Sequence, residues 1–436
     1  MEKENKKNQV VKVIGSHTLG CKVNSYDTEA MIKIFTDNGY SESNNSDFFD
    51  VFIINTCSVT NLSEKKSRQI IRRVREKNKD AIIVVAGCYS QVAPQEIEKL
   101  EGINIIIGTK NRSEIYNLVS NYSLSMGLVN TVSDIMKERD FEPLKVDEFK
   151  NMTRAYLKIQ EGCNQYCTYC IIPYARGNIR SRKEEDVILE VERLARSGVK
   201  EVVLAGIHIA SYGKDLKNTN LLEIIKKVHE VKGIERIRFS SVEPNLMTED
   251  FVSQIAKLSK VCDYFHLSLQ SGCDKTLKQM NRKYTTKEYL NSLEIIRKHY
   301  ENPSISTDVI VGFSGETNDD FKKSYEFCKK AKFSKIHVFP YSAKKGTKAY
   351  DFGDKVPKKE KDSRALLLRS LSDEMTEEYN LKFIDKTLTV LVEKAVDGES
   401  FGHSRNYIEV CMNGEYTRGD IVSVNCKKSI DGKLFS

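Results

Sequence analysis

Short β-branched runs alternate with helix-length amphipathic stretches through most of this chain, and no other feature limits its fold as much. Residues 10–15, 51–55, 81–86 and 103–107 read as strands, and 24–38, 62–78 and 94–100 between them read as helices. Parallel strands need crossover connections, so this pattern predicts a parallel sheet with helices on its faces. From about 121 to 150 the alternation lapses into a stretch rich in Ser, Asp, Glu and Lys, expected to be a linker. A second series follows, with strand-like runs at 155–160, 201–206, 236–242, 264–270, 304–312 and 335–341. Such a series forms either a partial barrel or an open doubly wound sheet. Both place function beyond the carboxyl ends of the strands. A charged helix, 358–383, leads to runs at 387–393, 404–411 and 420–425 that alternate like short antiparallel strands. Asp397-Gly398, Asn413-Gly414 and Asp431-Gly432 supply turn signals, and the expected product is a small β-barrel.

At 436 residues the chain is long enough for two or three folded units, each with its own core. The longest apolar run, 81–86, is far short of the ~20 residues that span a bilayer, and the opening residues lack an uninterrupted apolar core. A cytoplasmic protein with no membrane partner is expected. Its 11 cysteines therefore point to metal or catalysis rather than to disulfides. The net charge of +8 is concentrated in 151–375, which carries 40 basic against 30 acidic residues. A nucleic-acid partner favours that surface, although solvated enzymes also carry such an excess.

Cys163, Cys167 and Cys170 form a C-x3-C-x2-C run directly after the first strand of the second series. Three thiolates on one compact loop can hold three corners of a four-iron four-sulfur cluster and leave the fourth iron open. A zinc site would need a fourth ligand at matching spacing, and no nearby His or Cys offers one. Cys21, Cys57 and Cys88 are far apart in sequence but share one structural address. INTC and VAGC end strand-like runs and HTLGC lies just past the first, which places all three at the carboxyl edge of one sheet. Singly each fits a packing cysteine; three in register fit a second cluster. Cys262, Cys273, Cys328, Cys411 and Cys426 match no ligand spacing and are assigned to packing or surface.

The C-x3-C-x2-C run resembles the signature of the radical S-adenosylmethionine superfamily. Together LGCKVNSYDTE, INTCSVT, VAGCYSQ, EGCNQYCTYCIIPYARG, GIHIASYG, HLSLQSGCD, DVIVGFSGET and HVFPYSAKKGT resemble the methylthiotransferase family over nearly the whole chain. LGCKVN, EGCNQYC and FSSVEP look most like the branch acting on tRNA that bears N6-threonylcarbamoyladenosine beside the anticodon. The resemblance implies an α/β protein with an N-terminal domain at 9–122 carrying an auxiliary cluster, a linker at 123–150 and a six-unit partial barrel at 151–375. It also implies a TRAM-like RNA-binding β-barrel at 376–436, although that stretch carries 8 basic against 10 acidic residues. The implied cofactors are two four-iron four-sulfur clusters and S-adenosylmethionine, and the implied partners are tRNA, an electron donor and a sulfur source. The implied reaction is methylthiolation of C2 of the threonylcarbamoylated adenosine 3′ to the anticodon. Isopentenyl-adenosine tRNA and a ribosomal-protein aspartate are the alternative substrates within the family. A non-catalytic iron–sulfur or zinc RNA-binding protein is the alternative outside it.

In the family an aromatic at the place of Tyr169 stacks on the cofactor's adenine. Glu243, Gln270 and Asp308 sit at or near strand ends where polar groups can bond a cofactor, and Gly206 and Gly312 can admit close backbone approach. Turn and loop duties explain each of these equally well. Lys65, Lys66, Arg68, Arg72, Arg73, Arg75 and Lys77 make the helix after Cys57 basic, which fits a solvated face or phosphate binding; Arg176, Arg180 and Arg182 are similarly placed. His17, His208 and His403 receive no ligand role.

Overall fold

The computed structural model describes residues 11–43, 48–146 and 153–436. Val10 of the first expected strand and 147–150 of the expected linker lie outside them. The chain divides into two compact units, 1–146 with 174–178, and 147–173 with 179–436.

The first unit is a parallel sheet of six strands: β1 (Val13–Thr18), β2 (Ser41–Glu42), β3 (Val51–Thr56), β4 (Ile82–Gly87), β5 (Ile105–Ile106) and β6 (Val129–Asn130). Its order, β2-β1-β3-β4-β5-β6, reverses between β1 and β3. Near-continuous apolar runs form the central strands because both faces are covered. Val51, Ile53, Val84 and Ala86 face α1 (Lys22–Asp37), whose Met31, Ile32 and Phe35 bury against them. Phe52, Ile54, Ile83 and Val85 face the opposite way, onto Ile71 of α2 (Asn61–Lys77), Tyr89 of α3 (Cys88–Val92) and Ile97 of α4 (Pro94–Glu98). A further helix, α5 (Ile115–Ser120), adds Ile115 and Val119 to the α1 side.

Much of the expected linker belongs to this unit. β6 extends the sheet by pairing with β5, and Ile135, Leu144 and Val146 are buried. The Tyr26 hydroxyl donates to the Leu144 carbonyl at 2.8 Å. A few well-spaced apolar side chains anchor the segment despite its polar composition.

In the second unit the six strands of the βα series are β7 (Arg154–Glu161), β9 (Glu201–Gly206), β10 (Arg236–Phe239), β11 (Tyr264–His266), β12 (Ser304–Val311) and β13 (Lys335–Pro340). They follow one another in space as they do in sequence. β7, β9 and β10 pair in parallel, as do β11, β12 and β13, and parallel bridges Ile237↔Val261 and Val242↔Leu267 join the two sets. Without a reversal there is no doubly wound sheet, and the strands curl as a partial barrel. The short β8 (Arg180–Ser181) runs antiparallel on β7. β10 and β11 end earlier than expected, and beyond Phe239 and His266 the pairing continues only as isolated bridges, Val242↔Leu267 and Gln270↔Val309. Helices α6 (Ile172–Arg176), α7 (Glu184–Arg196), α8 (Leu221–Glu230), α9 (Glu249–Ile255), α10 (Asp274–Gln279), α11 (Thr286–His299) and α12 (Asn318–Ala331) connect the strands.

The helix α13 (Lys358–Leu381) crosses residue 375, where a domain boundary was expected, without a break, and its Tyr379 enters the core of the C-terminal sheet beside Phe383. That sheet has strands β14 (Thr387–Val396), β15 (Glu399–Ser404), β16 (Glu409–Asn413), β17 (Ile421–Asn425), β18 (Lys428–Ile430) and β19 (Lys433–Phe435), in the order β17-β14-β15-β16-β19-β18. It is mainly antiparallel and curls into a small barrel. Asp397-Gly398 and Asp431-Gly432 have positive φ at both residues, as the mirror-image turns of tight hairpins require. The expected strand at 404–411 is instead two strand ends joined by a turn, with Tyr407 at φ 63°.

A buried ionic cluster fastens this sheet to the amino ends of the barrel strands. Glu201 accepts from Arg154 Nε at 2.7 Å and from Arg238 Nε at 2.8 Å. Arg236 donates to the carbonyls of His403 (3.0 Å) and Thr389 (2.8 Å), and Arg238 to those of Arg405 and Ser404, both at 2.7 Å. Burial alone would raise the Glu201 carboxyl, but Arg238 and Arg154 bring it down to about 2. Because this lies below the unfolded value of roughly 4.3, the stabilisation is complete above that pH and is lost as pH falls toward 2. Glu201→Gln takes the buried carboxylate from Arg238 and from Arg236, 3.6 Å away, and leaves Arg154 with Glu393 alone. It should cost about 3–5 kcal/mol in urea unfolding at pH 7 and flatten the acid dependence. Parental stability would contradict this account of the barrel base.

Candidate functional site

Three loops at the carboxyl edge of the first sheet carry Cys21, Cys57 and Cys88. Cys21 is the N-cap of α1, Cys57 directly follows β3, and Cys88 opens α3. The strand order reverses between β1 and β3, so the edge opens a crevice there. Gly20, at φ 110°, holds a backbone conformation that L side chains rarely adopt, and a Cβ there would crowd Cys57 Cβ at 3.0 Å. Asn24 ties the loops together by donating to the carbonyls of Leu19 (2.6 Å) and Thr56 (3.0 Å). Cys57 and Cys88 are buried and Cys21 is exposed. Burial pushes the Cys88 thiol up to about 11, against the pull of Arg176 and with the repulsion of Cys57 and Cys21 added. Burial also raises Cys57, which a backbone hydrogen bond from Val59 opposes. The three sulfurs are thus within electrostatic reach of one another.

Cys163, Cys167 and Cys170 occupy the loop after β7 in the second unit. Thr168 donates to the carbonyls of Met280 (3.0 Å, through its N–H) and Gln279 (2.9 Å, through its hydroxyl), and Asn281 donates to that of Tyr166 at 2.9 Å. Burial pushes the Cys163 thiol up to about 11 and the Cys170 thiol to about 12, with the neighbouring thiols adding to it. Beside this loop, Arg282 Nη1 donates to Cys167 Sγ at 3.3 Å while its Nη2 lies 2.9 Å from Glu243 Oε1. The other Glu243 oxygen accepts from Gln165 Nε2 at 3.0 Å and lies 3.0 Å from His208 Nε2. Burial works against the Glu243 charge, yet His208 and Arg282 hold its carboxyl below the usual range.

The structure therefore brings Glu243 to the cysteine loop through Arg282 and Gln165, with His208 holding its other side. Tyr169 packs its ring edge on Phe313, with centroids 6.4 Å apart, beside Met280, Tyr341 and Ala349. Gly206 closes β9 where a Cβ would meet Ile209 at 2.7 Å and Gln160 at 3.0 Å, so the strand end needs it for packing. Gln270 adopts φ 70°, held by its N–H to the Asp308 carbonyl and by Ile310 N–H to its own carbonyl, both at 2.8 Å. Asp308 lies on β12 with Oδ2 3.2 Å from His266 Nε2, and His266 stacks on His337. Gly312, at φ 71°, is packed against Lys361.

Several charges depart from expectation. Arg176, Arg180 and Arg182 are buried, and Arg182 pairs with Glu190 at 2.6 Å, so none is presented to a phosphate. Arg75 donates to Gly102 O at 2.8 Å, Ala81 O at 2.9 Å and Asn104 Oδ1 at 2.7 Å, which makes it a clasp between loops. Lys65, Lys66, Arg72 and Arg73 remain exposed on α2. Arg282 and His208 are the functional candidates that sequence patterns missed. One is a single arginine in a basic chain and the other a lone histidine. All five remaining cysteines are buried.

Among the described residues no three Cys, His, Asp or Glu side chains converge as one metal ion would require. A cuboidal cluster offers a separate iron to each thiolate, so three spaced thiols on a clamped loop fit it better than they fit zinc.

The radical SAM superfamily model matches residues 157–328, and the model of an uncharacterized protein family, UPF0004, matches 13–108. The threonylcarbamoyladenosine tRNA methylthiotransferase MtaB of Bacillus subtilis is 41% identical over 423 residues, covering 95% of this chain and 94% of that protein. The chain belongs to the radical S-adenosylmethionine methylthiotransferase family. The MtaB protein of Aquifex aeolicus is 37% identical over 94% of this chain and 99% of its own length. The tRNA-2-methylthio-N(6)-dimethylallyladenosine synthase of Clostridium tetani is 37% identical over 86% of this chain and 84% of its own. Among solved structures, the radical S-adenosylmethionine methyltransferase TsrM of Kitasatospora setae aligns with a TM-score of 0.55 at 15% identity, over 76% of this chain and 75% of that one, a likeness of fold. As a radical SAM methylthiotransferase this chain is an enzyme. No described helix is long and apolar enough to cross a membrane.

Burial sets a testable order of thiol reactivity. A thiol pKa near 11 or 12 leaves about a thousandth or less as thiolate at about pH 8. In reduced, metal-free protein an alkylating reagent should modify exposed Cys21 first and Cys88 and Cys170 at least about tenfold more slowly, as read by peptide mass spectrometry. Equal rates at Cys21 and Cys88 would contradict the burial described.

Proposed function

We propose that this enzyme methylthiolates C2 of N6-threonylcarbamoyladenosine in tRNA, at the adenosine 3′ to the anticodon. The observation that carries the reading is the presence, in one chain, of two thiol triads, each at the carboxyl edge of its own parallel sheet. The substrate follows the relatives, since the proteins at 41% and 37% identity over 94–95% of this chain bear that nucleoside in their names.

In this reading Cys163, Cys167 and Cys170 hold the cluster at which S-adenosylmethionine binds, and Cys21, Cys57 and Cys88 hold the auxiliary one. With its cofactor bound, the first supplies a carbon radical able to attack an unactivated aromatic C–H; the second supplies the sulfur. The protein provides orientation and electrostatics. Glu243, kept ionised by Arg282 and His208, presents a fixed negative group beside the cysteine loop, suited to an ammonium or a ribose hydroxyl. Tyr169, Gly206, Gln270 and Asp308 complete the proposed cofactor surround. An electron donor and a sulfur source are the further partners, and the setting is cytoplasmic.

Alanine cannot ligate iron, so two variants separate the triads. Cys57→Ala should lose methylthiolation but still release 5′-deoxyadenosine from S-adenosylmethionine under anaerobic reduction. Cys167→Ala should lose both activities and keep the N-terminal iron. The parent should hold roughly eight irons. Assay on threonylcarbamoylated and on isopentenylated tRNA identifies the substrate. Turnover of the isopentenylated tRNA alone would replace the proposed nucleoside, and no 5′-deoxyadenosine from the parent would mean a non-catalytic RNA binder.

The exposed cations on α2 are proposed to touch tRNA phosphates. Neutralising Lys65, Lys66, Arg72 and Arg73 together should lower the slope of log affinity against log salt by roughly 0.7–0.9 for each phosphate that is no longer neutralised. A parental slope would return the helix to a solvated face.

A further inference from the structure

Arg176 follows Cys170 by six residues, has none of its surface exposed, and belongs to the first unit. Its Nε donates to Cys88 Sγ at 3.3 Å, Nη1 to Asp27 Oδ2 at 2.9 Å, and Nη2 to Asn24 Oδ1. Every nitrogen of the fork is therefore fixed. Asp27 also accepts from Arg112, which is held in turn by Glu142. Burying a guanidinium carries a large desolvation cost. A neutral thiol is a poor acceptor for the N–H aimed at it, whereas an anionic, metal-bound sulfur is a good one. The geometry is built for negative charge on Cys88.

The local balance points the same way. Asp27 and Glu142 offset Arg112 and Arg176. Without Arg176 the surroundings of the triad would lose one positive charge and a hydrogen bond to sulfur, and both changes disfavour adding an electron to a cluster. We propose that Arg176 is a positioning residue that raises the reduction potential of the N-terminal cluster through its bond to Cys88. The proposal rests on the reading of Cys21, Cys57 and Cys88 as cluster ligands.

The test uses the full-length chain carrying C163A, C167A and C170A, reconstituted anaerobically so that signals from the other triad do not overlap. Iron is counted and the midpoint potential is read by EPR-monitored titration, with and without Arg176→Gln. The expected result is unchanged iron and a more negative potential. Full iron with a parental or raised potential overturns the proposal. If Arg176→Gln fails to keep iron, Arg176→Lys decides: iron retained at a lower potential than the parent supports the proposal, while a parental potential or lost iron overturns it. No iron in the parent of this series removes the ligand reading, and the proposal with it, which is distinct from an unchanged potential.

Discussion

Parallel hydrogen bonding governs this molecule. A strand that joins its neighbour in parallel must be reached by a crossover, so all strands of one sheet release their chains at the same edge. Cys21, Cys57 and Cys88, spread over 68 residues of sequence, gather for that reason. The two sheets use the constraint differently. The first reverses its order between β1 and β3 and opens a crevice at the edge. The second never reverses and curls, so its strand ends form a rim around the Cys163 loop.

A shared electrostatic device appears at both triads. One arginine donates to one sulfur at 3.3 Å, Arg176 to Cys88 and Arg282 to Cys167, and a carboxylate, Asp27 or Glu243, fixes that arginine in place. Buried thiols resist ionisation, and a guanidinium offsets part of that cost where the sulfur must carry charge. At the opposite end of the barrel, arginine serves a mechanical purpose. Arg236 and Arg238 bond backbone carbonyls of the C-terminal sheet, which ties that sheet to the barrel whatever its own surface charge.

Much of this was legible in the sequence. The strands 51–55 and 81–86 are buried and read as near-continuous apolar runs, so their positions and the cysteines just past their ends followed directly. The βα pattern alone left a barrel and a doubly wound sheet open, because strand order is a long-range property; it was the motif resemblance that implied the partial barrel the strand order shows. Composition misled at 123–146, where Ile135, Leu144 and Val146 outweigh their polar neighbours. It misled again at Arg75, Arg176, Arg180 and Arg182, since a basic residue in a clasp or a buried pair looks the same in sequence as one on a phosphate-binding face. Arg282 and His208 left no periodic signal; only the fold brings them to Glu243.

The central claim is that one chain modifies threonylcarbamoylated adenosine by joining two thiol triads to one reaction. Mass spectrometry of tRNA nucleosides from cells with and without this protein tests it most directly. The account predicts that 2-methylthio-N6-threonylcarbamoyladenosine disappears on deletion, that its unmodified precursor accumulates, and that the intact chain restores the product. An unchanged level of the 2-methylthio nucleoside in deleted cells would contradict it.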